Sequence, residues 1–155
     1  MPPTGRSFRA FSLIELVTAL AIASIVMAIA APRFANSLSR NHAQNTAQRL
    51  VADLALAQRL ARTSSLGQTV AFNVAANSYS LSGVTGLAGP SSGYTVLLGN
   101  DPYESTLVSA TFGSASSITY DRFGQPSSGG TVVVQCGAWQ KTITVDPNSG
   151  LASFQ

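Results

Sequence analysis

The chain has 155 residues, with nine Lys or Arg against six Asp or Glu, and its formal net charge of +3 gives only weak support for a nucleic-acid partner. A single cysteine, Cys136, excludes an intramolecular disulfide and a cysteine-based metal cluster. With His42 as the single histidine, these counts also remove most zinc and catalytic chemistries.

A polar leader with two arginines, residues 1–10, precedes a nearly unbroken apolar segment, residues 11–31. At about 1.5 Å of rise per residue, this segment makes a helix of roughly 30 Å, enough to cross the hydrocarbon core of a bilayer. Glu15 is its single charge. A carboxylate in such a segment costs on the order of 2.5 kcal/mol or more on insertion scales, so we expect Glu15 to need a partner.

Pro32 follows the apolar segment and predicts a kink in the helix, or its end near Ala31. Beyond it, residues 32–65 are predicted as an amphipathic helix, because apolar residues recur at spacings of three and four. Those residues are Phe34, Leu38, Ala47, Leu50, Val51, Leu54, Ala57 and Ala61. No glycine or further proline occurs before Gly67, so we predict one long helix from residue 11 to about residue 64.

Residues 66–155 change to short β-type runs between Gly, Ser, Asn and Pro clusters. The predicted strands are 68–74, 78–81, 94–98, 107–112, 117–120, 131–135, 140–145 and, as a candidate last strand, 151–154. The predicted breaks include 83–93, 99–102, 124–130 and 146–150. Closely spaced strands favour antiparallel pairing. The predicted fold class is α+β, with a long N-terminal helix, transmembrane and then amphipathic, packed on a small antiparallel β-sheet domain.

The start of the apolar segment, AFSLIELV at residues 10–17, resembles the class III signal of type IV pilins and type II secretion pseudopilins. The resemblance implies that a prepilin peptidase cuts between Ala10 and Phe11 and N-methylates Phe11. Glu15 then takes the place of the family's glutamate, and Pro32 stands where many members have a helix-kinking proline. The family usually has glycine before the cut, whereas this chain has Ala10.

Glu15 and Pro32 are therefore the predicted assembly residues. Cleavage creates an α-amino group that is cationic near neutral pH, about one helical turn from the carboxylate. Glu15 cannot easily reach its own terminus, but it can neutralise the terminus of a neighbouring subunit when the helices pack with an axial stagger. The plainer alternative is a lone acid that snorkels to the membrane surface or is protonated.

A second processing route stays open. The leader arginines, the apolar run and the AIA sequence at residues 28–30 also resemble a secretory signal peptide, whose cleavage after Ala30 releases a soluble β domain. Glu15 inside the apolar run argues against this route, as does the amphipathic pattern that continues past the cut.

The rest of the chain resembles GspH/FimT-like pseudopilins and minor pilins. The resemblance rests on the helix end at residues 52–62, on ITYDRFGQP at 118–126 and on the hairpin pattern that follows. FimT-type members in DNA uptake are associated with an arginine-rich C-terminal Gly-Arg motif, and the matching residues here, GLASFQ at 150–155, contain no basic side chain. A DNA-binding minor pilin is therefore kept as an alternative.

Other chemistry has little support in the sequence. His42 has no cysteine or carboxylate at ligand spacing, so we expect a solvated histidine. The acids of residues 101–104 are weak evidence for calcium compared with a surface turn. Cys136 and Trp139 are expected to be packing residues beside a tight turn. We expect no cofactor, no metal and no catalytic site.

The predicted function is structural. As the resemblance implies, the chain is a minor pilin or pseudopilin of a type IV pilus or type II secretion pseudopilus. Its expected partners are other subunits, the prepilin peptidase and an inner-membrane assembly platform. Its expected location is the bacterial inner membrane, crossed once with the β domain in the periplasm, and then the filament.

Overall fold

The computed structural model describes residues 12–86 and 89–155, which form one helix and eight strands. They are α1 (Leu13–Ser64), β1 (Gln68–Asn73), β2 (Ser78–Gly86), β3 (Gly89–Leu97), β4 (Thr106–Phe112), β5 (Ser117–Tyr120), β6 (Gly130–Cys136), β7 (Trp139–Val145) and β8 (Ala152–Phe154). The chain divides into two compact units, the first ending at Asn36 and the second comprising Ser37–Gln155.

The described part of the first unit is the N-terminal stretch of α1. The helix begins at Leu13, where the Ser12 carbonyl accepts the N–H groups of Glu15 and Leu16. The predicted long helix is confirmed, and the predicted start at Phe11 lies outside the described residues. Of the two outcomes predicted at Pro32, an end near Ala31 is excluded, because the helical backbone continues through residue 32. Proline lacks a backbone N–H and so removes one helical hydrogen bond, but the helix does not end there.

The second unit contains two four-stranded antiparallel sheets. The first has the order β3-β2-β1-β5 and the second the order β4-β6-β7-β8. The antiparallel prediction is confirmed, and each predicted strand is present among the described residues. The hairpin β6–β7 keeps strict register from Gly130–Val145 to Cys136–Trp139.

One predicted break is wrong. The Gly- and Ser-rich stretch 83–93 was expected to be a loop, but β2 runs to Gly86 and β3 starts at Gly89. Thr85 pairs with Gly93 through a register shift after Leu81. The hydrogen bonds between strands are made by the backbone, so this stretch can pair without alternating apolar side chains. That alternation is the signal from which strands are predicted in a sequence.

The core of the second unit lies between the C-terminal part of α1 and the sheets. The helix contributes a stripe of fully buried side chains at spacings of three and four: Ala43, Ala47, Leu50, Leu54, Ala57 and Ala61. Both sheets contribute inward-facing side chains to the core. Phe72 of β1 stacks on Phe112 of β4, with 5.5 Å between the ring centroids. The predicted helix face is thus confirmed from Ala47 onward.

The first two residues of the predicted face are not part of the core. Phe34 and Leu38 are exposed, and the buried stripe begins only at Ala43. Helical periodicity indicates which residues share a face, but burial also requires an element opposite that face. Apolar residues can therefore continue the stripe without being part of the core.

Candidate functional site

Glu15 lies in the first turn of α1 and is the only charged residue of the apolar segment. Among the residues described, no cation lies within ion-pair distance of its carboxylate. The nearby Thr18 hydroxyl donates to the carbonyls of Ile14 and Glu15, so this polar group is satisfied within the helix. Within residues 12–86 and 89–155, the carboxylate is therefore a single charge without an ion-pair partner.

The large side chains around Glu15 are apolar and exposed. From Leu13 to Ile29 every large hydrophobic side chain is exposed, and α1 is long and apolar enough to cross a membrane. So large an apolar surface has to be covered by lipid or by other helices. The two processing residues, Ala10 and Phe11, lie outside the described residues, and Pro32 lies within the helical backbone.

A buried polar cluster fixes the second half of α1 to the first sheet. Asp53 is 4% exposed, and its Oδ2 accepts hydrogen bonds from the hydroxyl groups of Tyr79 at 2.6 Å and Tyr94 at 2.8 Å. Arg49, one turn earlier, donates Nε to the same oxygen at 3.1 Å and Nη2 to the Tyr94 hydroxyl. One carboxylate thus joins the helix to both strands of the β2–β3 hairpin.

The tyrosines of the second unit make its stability sensitive to alkaline pH. Burial, together with the Asp53 carboxylate, raises the pKa of Tyr79 far above its ordinary value, and burial raises the pKa of Tyr120 to about 12. Unfolded tyrosine titrates near pH 10, so above that pH the folded state binds more protons than the unfolded state.

We expect the free energy of unfolding to be level from pH 7 to about pH 9.5 and to fall above about pH 10. Urea denaturation across this range, followed by the fluorescence of the single tryptophan, measures the slope. Tyr79→Phe should flatten the decline above pH 10. A variant whose decline is as steep as that of the unmodified chain would show that Tyr79 is not its source.

The C-terminal end of α1 is held by two loops through one side chain. Gln58 is 7% exposed, and its Nε2 donates to the carbonyl of Gly124 at 2.8 Å and to that of Ser149 at 2.7 Å. Gly150 has a φ of +70°, and its carbonyl accepts the Tyr120 hydroxyl at 3.3 Å. The turn after β5 and the loop before β8 therefore lie side by side against the helix.

The opposite end of this packed stretch of helix meets the loop between β3 and β4. The Thr46 hydroxyl is fully buried and donates to the Ser105 hydroxyl at 2.9 Å. The expectation that His42 is solvated is wrong, because its side chain is only 15% exposed and its Nδ1 lies 3.5 Å from Oε2 of Glu104. In the described parts of the chain, no group of three or more His, Cys, Asp or Glu could hold a metal ion.

The hairpin turn between β6 and β7 has the predicted position, with Gly137 at a φ of +56°. The packing role expected of Trp139 is only partly met. Its ring is 41% exposed, and the guanidinium of Arg40 lies 5.4 Å from the ring centroid. Cys136 is partly buried and has a free thiol. The tryptophan therefore packs on a helix side chain at the surface rather than within the core.

Sequence reasoning missed the Asp53 cluster. A signal existed, since Asp53 shares the helix face of Leu50 and Ala57 by its spacing of three and four. A carboxylate on an apolar stripe needs donors from the opposite element. Which donors these are depends on the strand pairing, which the local pattern does not contain.

Two models of known protein families match the sequence of this chain. The model of the type II transport protein GspH matches residues 46–150, which is more than half of the chain. The chain belongs to the GspH family. The prokaryotic N-terminal methylation motif also matches, over residues 5–31, which include the apolar segment and Glu15. The GspH match covers the helix from Thr46 and strands β1 to β7, and it ends at Gly150, just before β8.

Solved structures share the fold of this GspH-family chain. The minor pseudopilin EpsH of the type 2 secretion system of Vibrio cholerae is 14% identical, with a TM-score of 0.55, and the match covers 74% of this chain and 96% of that one. The type IV minor pilin FimU of Pseudomonas aeruginosa (P65 crystal form) is 14% identical, with a TM-score of 0.50 and coverage of 72% and 91%. No curated protein sequence matches the chain.

These findings describe a minor pilin or pseudopilin with an N-terminal methylation motif. The fold is the α+β fold of these relatives, with a long helix packed on antiparallel sheets. The family consists of structural subunits, and the buried polar groups above serve to join helix and sheets.

Proposed function

We propose that this chain is a filament subunit that assembles through its N-terminal helix into a type II secretion pseudopilus or a type IV pilus. The observation that carries the proposal is Glu15, a carboxylate with no ion-pair partner among the described residues, on a stretch of α1 from Leu13 to Ile29 whose large apolar side chains are all exposed. A helix of this kind is stable in a bilayer or in a bundle of similar helices. The charge of Glu15 favours the bundle over the bilayer.

The discrimination is electrostatic. In the bilayer the carboxylate is costly, and so is any cationic terminus drawn into the hydrocarbon. In a staggered bundle, Glu15 of one subunit lies near the α-amino group of the next, so each charge offsets the cost of burying the other. A one-turn error in the stagger leaves both charges unpaired, and Glu15 thereby sets the register of assembly.

The proposal also includes the location and partners of the chain. The prepilin peptidase removes residues 1–10 on the cytoplasmic side and methylates Phe11. Before assembly the helix crosses the bacterial inner membrane once, and the β-rich unit lies in the periplasm. An inner-membrane platform then transfers the helix into the filament, where its partners are other subunits.

The alternative release of a soluble domain after Ala30 is disfavoured by the helix itself. A cut there would divide α1 within a continuous helical stretch. A DNA-binding role has no cluster of basic residues at the C-terminus to support it, since β8 and Gln155 carry no basic side chain.

The N-terminus of the mature protein tests the processing step. We expect mass spectrometry of the membrane-extracted chain to find a mature N-terminus at Phe11 with one added methyl group. Ala10→Gly, which restores the family's usual residue, should be processed at least as completely. A mature chain that begins at Ala31 would contradict the proposal and establish the secreted form.

A further inference from the structure

The surface next to the C-terminal end of α1 is unusually apolar. Leu66 and Phe123 are each 66% exposed and Leu151 is 65% exposed, more than any other large hydrophobic side chain described between Ser37 and Gln155. Isolated exposed hydrophobics are ordinary, but several at one place mark an interaction surface.

The three side chains belong to segments that adjoin one another. Phe123 and Leu151 stand on the two loops whose carbonyls share the Nε2 of Gln58. Leu66 directly precedes Gly67, and a Cβ on Gly67 would lie 3.6 Å from the carbonyl oxygen of Tyr120, the residue that leads into the turn bearing Phe123. The three hydrophobics therefore lie at the same end of the second unit.

Two arginines contact this apolar area, and a third lies one turn away along α1. Arg62 donates Nε to the Phe123 carbonyl at 3.1 Å, and the Arg122 guanidinium lies 4.9 Å from the centroid of the Phe123 ring. Arg59 lies one turn before Arg62 on the same helix face. Within the part of the chain that the structure describes, none of the three forms an ion pair.

Among the described residues, the nearby acids form no ion pair with these arginines. Asp121 accepts the backbone N–H groups of Phe123 and Gln125, and Asp146 accepts those of Asn148 and Ser149. Both carboxylates thus hold their own turns closed, and the hydrogen bonds from Ser149 and Asn148 keep the pKa of Asp146 below its ordinary value. The guanidinium groups remain available to a partner.

We propose that this helix-end surface is the docking site for a protein partner that presents acidic side chains around an apolar patch. The surface is defined by Arg59, Arg62, Leu66, Arg122, Phe123 and Leu151. Arginine and aromatic side chains are the most frequent anchors of protein interfaces, and an apolar centre with a charged rim is their common arrangement. The proposal goes beyond filament assembly, because it concerns a different end of α1 from Glu15.

A protein fits this surface better than a nucleic acid. Single-stranded nucleic acid is bound by stacking its bases on exposed rings, and the surface offers one ring, which already has Arg122 over it. The leucines cannot stack on bases, but they can pack against the apolar side chains of a protein. The expected partner contacts therefore combine leucine-type packing with carboxylate–guanidinium hydrogen bonds.

Binding of a designed peptide tests the proposal on the full chain in lipid nanodiscs. The probe is a fluorescently labelled peptide of alternating Glu and Leu, and its anisotropy is followed at low and high salt. We expect saturable binding that weakens at high salt, because the charge contacts are exposed. Arg59→Gln with Arg122→Gln, and separately Phe123→Ser with Leu151→Ser, should each weaken binding by about tenfold or more.

Matched variants elsewhere on the same unit serve as controls. Arg40→Gln removes an exposed arginine beside Trp139, and Leu97→Ser removes a leucine that is 51% exposed on β3. Neither should change binding by more than about twofold, since surface changes away from an interface are nearly neutral. Unchanged urea midpoints show that every variant is folded.

Three outcomes would overturn the proposal. The first is no saturable binding of the peptide, and the second is an equal loss of binding in the control variants. The third is tighter binding of a single-stranded oligonucleotide of the same charge, with no effect of Phe123→Ser and Leu151→Ser, which would make the surface a nucleic-acid site. None of these outcomes bears on processing at Phe11 or on assembly through Glu15.

Discussion

Glu15→Val is expected to leave cleavage and methylation of the chain intact and to lower its incorporation into filaments by about tenfold or more. The carboxylate lies in the first turn of an exposed apolar helix and has no partner within the described chain. As proposed above, in a bundle of such helices it offsets the charge of a neighbouring N-terminus. Its loss leaves that cation buried without a counter-charge, which costs several kcal/mol.

The measurement compares membrane and filament fractions after shearing and immunoblotting. The matched control is Thr18→Val, which changes a polar residue one turn further along α1 whose hydroxyl bonds only to backbone carbonyls of its own helix. Thr18→Val should be incorporated normally. Normal incorporation of Glu15→Val would remove Glu15 from the assembly mechanism, although the processing result at Phe11 would stand.

Asp53→Ala is the substitution with the largest expected effect on the stability of the second unit. It removes the acceptor shared by Tyr79, Tyr94 and Arg49. Each buried donor left without a partner costs about 1–3 kcal/mol, and the Tyr79 and Tyr94 hydroxyls both lose their bond to the carboxylate, so we expect a loss of about 2–6 kcal/mol. Arg49 is partly exposed and can turn to solvent. Urea denaturation of the full chain in detergent, with tryptophan fluorescence as the signal, measures the change.

Two further variants separate the hydrogen bonds from general disruption of packing. Asp53→Asn keeps one acceptor oxygen and should cost less than Asp53→Ala. Tyr79→Phe removes a donor, so the double variant with Asp53→Ala should be less destabilised than the sum of the two single variants. Strict additivity would mean that Tyr79 and Asp53 do not interact energetically, contrary to their 2.6 Å contact.

Local patterns were sufficient for most of the secondary structure. Apolar spacing of three and four predicted α1, because a helix face repeats over a few neighbouring residues. Alternation between Gly- and Ser-rich breaks predicted the strands. The same local reasoning failed at 83–93, where backbone pairing does not depend on side-chain alternation. It also could not tell which residues of the helix face are buried, since Leu38 is exposed whereas Ala43 is fully buried.

The functional residues also differ in whether they could be recognised from the sequence. Glu15 could be recognised from sequence because one charge in an apolar segment is anomalous without any knowledge of the fold. Asp53 could not be assigned its role, since its partners Tyr79 and Tyr94 lie 26 and 41 residues away on strands whose pairing is a long-range property. The helix-end surface could not be predicted for the same reason, because it combines residues at the end of α1 with residues of two loops far away in the sequence.

The amino-acid sequence was sufficient to predict a membrane-length helix with one charge, an amphipathic continuation and a β-rich C-terminal part. Each of these depends on residues close together in the chain, where periodicity and composition carry the physical information. The fold was needed to learn how the eight strands of the described residues divide into two sheets, which carboxylate is buried beneath the β2–β3 hairpin and which hydrophobics remain exposed. Those outcomes depend on which surfaces meet, and that is set by contacts between residues far apart in the chain.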